Sequence, residues 1–151
     1  MTISFPELQE KWDNVDKSVE NYILATEDHP LQFHIGYNNI KQRSFVVYNT
    51  GKIDEVESSK SISVKCIKAR SGTWSLQFTL QYPSLSEVFA LLCWDLMETS
   101  DLKINAIDAL LERYKKWKQL LQKVTASLLS TKEIKGLIGE LLFLSKGIDL
   151  Y

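Results

Sequence analysis

The stretch SISVKCIKARSGTWSLQFTLQYPSLSEVFALLCWDL, residues 61–96, changes its hydrophobic period part-way, and that change decides the fold. Ile62, Val64 and Cys66 alternate with Ser63 and Lys65, and Trp74, Leu76, Phe78 and Leu80 alternate with Ser75, Gln77, Thr79 and Gln81. A period of two with one apolar side describes a sheet buried on a single face. Ser71-Gly72 lies between the two runs and turns them into an antiparallel pair. At Pro83 the period lengthens. Ser84-Leu85-Ser86-Glu87 spells an S-x-x-E capping box ahead of Val88, Leu91, Leu92 and Leu96, which predicts a helix over about residues 85–98.

Upstream, Leu31–Tyr37 and Arg43–Asn49 read as two more strands around the turn residues Asn38-Asn39, and Asn49-Thr50-Gly51 makes a further turn. Downstream, Ser100 and Asp101 are placed to cap a long helix whose apolar positions are Ile104, Ile107, Leu111, Tyr114, Trp117, Leu121 and Val124. A third helix opens on a second capping box, Ser130-Thr131-Lys132-Glu133, and stops at Lys146-Gly147. The expectation is an α+β protein, an N-terminal antiparallel β meander of four or five strands followed by three α-helices. Pro83 divides a β-rich region, 1–82, from a helical region, 83–151.

Composition narrows the chemistry. The 151 residues are 44% apolar and 25% charged, with six glycines and three prolines, the make-up of an ordered domain. Cys66 and Cys93 form no CxxC pair and read as buried free thiols; His29 and His34 have no neighbours at metal-ligand spacing and read as strand-edge or loop residues. The opening residues lack a basic and apolar leader, and the most apolar window, Val88–Trp94, is far shorter than the roughly 20 residues of a membrane span. A cytoplasmic protein without a membrane segment is expected. The net charge is -1, but it is uneven: about -5 over residues 1–30, +1 over 31–100 and +3 over 101–151.

Two features of the last third bear on function. Gly136 and Gly139 stand inside the third helix, where each costs about 1 kcal/mol relative to alanine. Glu140 borders the apolar stripe of Ile134, Leu137, Ile138, Leu141 and Leu142, so bare backbone lets another chain or a ligand approach this carboxylate. That suits a divalent-metal or phosphate-transfer site; on spacing alone a close helix–sheet contact with a solvated glutamate is the plainer account. Around Trp117, the bases Arg113, Lys115, Lys116, Lys118 and Lys123 are candidate contacts to DNA phosphates. A solvated outer face with Trp117 in the core is the plainer account here too.

Gly136-Leu137-Ile138-Gly139-Glu140-Leu141 resembles the GLxGEL signature of a family in the PD-(D/E)XK nuclease superfamily found beside bacterial restriction-type defence genes. The similarity extends to Trp12, the strand pair around Gly36 and Arg43, Phe89, Trp94-Asp95-Leu96 and the Trp117-bearing helix. The resemblance implies Mg²⁺-dependent hydrolysis of DNA, with Glu140 as catalytic metal ligand. It also implies an Asp opening one strand and an Asp/Glu-x-Lys on the next, both downstream of GLxGEL, whereas the chain ends at Tyr151. This chain is therefore expected to be the N-terminal portion, contributing one metal-site residue, binding no Mg²⁺ by itself and inactive alone.

Glu133-Ile134-Lys135 and Asp101-Leu102-Lys103 spell the last motif, but on helices, where residues two apart diverge by about 200° and cannot share a metal. The competing reading is a non-catalytic interaction or dimerisation module. The apolar stripe of the third helix is then covered by the other helices or across a homodimer interface.

Overall fold

A computed structural model of the protein describes residues 3–127 apart from 28, 49, 54, 55, 102 and 103, with side chains described as far as Gln122. The chain opens on a helix, α1 (Phe5–Asp13), and continues through β1 (Asn21–Leu24), β2 (Gln32–Tyr37), β3 (Arg43–Tyr48), β4 (Ile62–Lys68) and β5 (Trp74–Leu80). After a 3-10 turn at Pro83–Leu85 come α2 (Ser86–Ser100) and α3 (Ala106–Ser127). The protein is α+β, an antiparallel sheet followed by helices. The predicted third helix, with GLIGEL, lies outside the described residues.

All strand pairings are antiparallel, in the order β1-β2-β3-β5-β4. The chain leaves β3, crosses to the far edge for β4, and returns through Gly72, at φ +89°, to set β5 beside β3. At that far edge the Ser58 hydroxyl accepts from the Val64 N–H at 2.8 Å and donates to the Val64 carbonyl at 3.3 Å. Ser59 accepts from the Ile62 N–H at 3.1 Å.

The period-two residues form the inner face. Register sets Phe33 against Val47, Ile35 against Phe45, Phe45 against Phe78 and Phe78 against Val64, and all are buried. The helices cover this face: Tyr114 of α3 meets Phe78 edge-on at 5.0 Å, and Trp12 of α1 packs on Phe89 of α2 at 5.6 Å. One apolar cluster joins all three helices to the sheet.

Several boundaries differ from expectation. Ser84 does not cap α2; Pro83 tightens the chain into a 3-10 turn, and Leu85 occupies the cap position without a side-chain bond. Asp101 ends α2 in extended conformation instead of opening α3, whose first bond runs from the Ala109 N–H to the Asn105 carbonyl. Ile104 therefore precedes the helix and is fully exposed, while Leu110 takes a core position. His34 sits inside β2 between β1 and β3, and only His29 is a loop residue.

His29 also fastens the loop before β2 to α2. Its Nδ1 accepts from the Leu31 N–H at 2.9 Å, which leaves the ring proton on Nε2, 2.9 Å from the Met97 carbonyl. Burial lowers the pKa of His29 and of His34 from the ordinary 6.5. The unfolded chain takes up protons near that value while the folded chain does not, so stability is full above about pH 6.5 and declines as pH falls below it. The thermal midpoint by circular dichroism is expected to be lower at about pH 5.5 than at pH 7.5, with a smaller drop in His29→Gln; equal wild-type midpoints would contradict this.

Candidate functional site

The residues singled out in the sequence separate into three groups once placed. Glu140, Gly136 and Gly139 lie outside the described residues, as does Glu133-Ile134-Lys135. The basic residues of α3 do not form one surface. Lys115 and Lys116 are exposed, Lys118 pairs with Glu57 at 2.9 Å, and the side chain of Lys123 is beyond those described. Arg113 is a correction to the expected cluster: it is 8% exposed and points into the protein.

There it meets Asp95 of α2, 1% exposed, in a two-pronged ion pair. Arg113 Nε donates to Oδ2 at 2.6 Å and Nη2 to Oδ1 at 3.1 Å; Trp117 Nε1, one turn along α3, donates to Oδ2 at 2.7 Å. The fixed fork of a guanidinium matches a carboxylate in this geometry, and the buried charge is compensated where it stands. Trp117 is in the core, 4% exposed, as its helical spacing indicates.

A groove of about 770 Å³ lies between α3 and Thr50, Lys52, Ile53, Val56 and Glu57. Ile53, Val56, Ile107 and Leu111 supply apolar lining, and Lys52, Lys115 and Lys118 the basic part. Burial pushes the phenol of Tyr114, which also lines the groove, up to about 12. Glu57, held low by Lys118, and Asp108 offset much of the positive charge.

Two arrangements that resemble catalytic sites are structural. Ser100 Oγ lies 3.2 Å from His29 Nε2, a pairing the sequence spacing did not suggest. The hydroxyl is buried and donates to the Leu96 carbonyl at 2.6 Å, while the imidazole proton already faces Met97, so no base is available to activate it. Cys93 is fully buried with its thiol pushed well up, the opposite of a reactive cysteine. Among the described residues no three His, Cys, Asp or Glu side chains come together to hold a metal. None of the five strands contains an aspartate or glutamate.

Comparison with protein families places the chain. Residues 5–149 match the model of the family described as "Putative PD-(D/E)XK family member, (DUF4420)". The chain belongs to this family. No curated protein and no solved structure matches it.

In this DUF4420 member, the pattern residues that accompany GLIGEL hold the fold. Trp12 Nε1 donates to the Gly36 carbonyl at 3.0 Å, and the Arg43 guanidinium lies 4.9 Å over the Trp12 ring. Trp94 Nε1 donates to the Ile3 carbonyl at 2.8 Å, and Asp95 and Trp117 share the buried ion pair. Among the described residues no helix is long and apolar enough to cross a membrane.

Proposed function

We propose that this chain is the N-terminal part of a restriction-endonuclease-like, Mg²⁺-dependent DNA nuclease, to which it contributes Glu140 while remaining inactive alone. The observation that carries this reading is the family match over residues 5–149 on a chain whose described strands bear no acid. In such chemistry a carboxylate-held metal activates water and balances charge building on the phosphate. The Asp and Asp/Glu-x-Lys pair must sit on adjoining strands, where residues two apart face the same side. The five strands here hold a sheet together and offer no such pair. Glu140, in GLIGEL, is the position that matches the family's metal-site glutamate, and the remaining ligands come from more of the same polypeptide or from a partner chain.

Incubation of the 151-residue chain with plasmid DNA and Mg²⁺ is expected to leave the DNA intact. Addition of a polypeptide bearing the complementary strands is expected to give cleavage, abolished by Glu140→Ala. Cleavage by the chain alone that Glu140→Ala removes would overturn the proposal. The DNA cleaved, a bacterial defence role and a cytoplasmic setting are parts of the same proposal.

A further inference from the structure

The sheet has a second face, and no described helix packs on it. Register places Lys65, Gln77, Val46 and His34 in one row across β4, β5, β3 and β2 on this side. Tyr22 stands one row away, its hydroxyl accepting from Gln77 Nε2 at 3.2 Å, and Tyr48 meets the His34 ring edge-on at 4.7 Å. Tyr22 on the edge strand β1, His34 on β2 and Tyr48 on β3 are only partly buried.

Charge is concentrated toward the far edge, on and around β4. Residues 58–86 contain Lys60, Lys65, Lys68 and Arg70 and not one acid, although the whole chain is slightly negative. All four bases are exposed: register puts Lys65 on this open side, Lys60 and Arg70 flank β4, and Lys68, in step with Ile62, Val64 and Cys66, stands on the other side, 5.8 Å over the Trp74 ring. Among the described residues none of the four takes part in an ion pair. From β4 to β3 is two strand spacings, about 10 Å, comparable to a nucleotide's reach from phosphate to base.

We propose that this open face binds a single strand of nucleic acid, its phosphates along Lys60, Lys65 and Arg70 at the β4 edge and its bases over Tyr48 and the His34 ring that packs on it. Exposed aromatic rings on a sheet can stack on unpaired bases, whereas duplex bases present no free faces to them. Lysines and an arginine without acidic neighbours attract the backbone by counterion release. The proposal concerns binding and stands apart from the metal-site reading of Glu140.

The test is fluorescence anisotropy of the full chain with a labelled oligothymidylate of about 20 nucleotides and a duplex of equal length, in EDTA, over a salt series. EDTA removes cleavage, so failure here leaves the nuclease reading intact, and the reverse also holds. Affinity for the single strand is expected to exceed that for the duplex by about tenfold. Lys65→Ser with Arg70→Ser should flatten the slope of log affinity against log salt by roughly 1.4, about 0.7 per lost phosphate contact. Tyr48→Ser should weaken binding about tenfold while Tyr48→Phe retains it. No binding, equal or tighter duplex binding, an unchanged salt slope, or a loss produced by Lys115→Ser and Lys116→Ser instead would overturn the proposal.

Discussion

Asp95→Ala is expected to cost about 4 kcal/mol of unfolding free energy, a large share of what a domain of this size possesses. The substitution removes the acceptor of three hydrogen bonds and leaves Arg113 charged, buried and unpaired between α2 and α3. The orphaned charge, more than the lost bonds, sets the magnitude, because a guanidinium does not give up its proton. Replacing both partners, Asp95→Leu with Arg113→Met, should therefore be less damaging than Asp95→Ala alone. Urea unfolding followed by tryptophan fluorescence measures both. A loss under about 1 kcal/mol for Asp95→Ala would show that Arg113 finds water or another acceptor, contrary to its burial.

Gly36→Ala is the second large effect, expected near 3 kcal/mol. A Cβ on Gly36 would collide with the Asn21 carbonyl oxygen and stand 2.9 Å from the Tyr22 Cα, both backbone atoms of the paired strand. Neither can swing aside as a side chain would. Relief requires β1 to part from β2 or the Gly36 carbonyl to move from Trp12 Nε1. Gly51→Ala is the comparison: it meets nothing within 4 Å and carries only the strain of its positive φ, about 1 kcal/mol. Equal losses for the two variants, by the same urea measurement, would contradict the clash.

The sheet was largely legible because one-sided burial writes itself as alternation. β2, β3, β4 and β5 fall where the period-two runs lie, and the switch at Pro83 marks the passage to helices. β1 was not legible, since four residues, Asn21–Leu24, are too few to show a period. The opening helix carries a capping signal but too short an apolar pattern to stand out by period. Ser4-Phe5-Pro6-Glu7 is an S-x-x-E box with proline in the first turn, and the Ser4 hydroxyl does accept from the Glu7 N–H. The same spelling at Ser84 caps nothing, because Pro83 draws that turn into a 3-10 helix. Arg113 was grouped with the lysines around it, since its partner Asp95 stands 18 positions earlier on another helix. Spacing along one element cannot reveal a pairing made between two. The family match is the converse case: it runs over residues 5–149 of the sequence, while the described strands, bearing no acids, give no sign of it.

The serine at position 58 has a consequence for how these molecules meet. Its hydroxyl both receives from and gives to Val64 on the outermost strand, as the main chain of an adjoining strand would. A second copy arriving side by side finds that docking rail already taken, so polymerisation by backbone zippering has no starting point at the middle of this border.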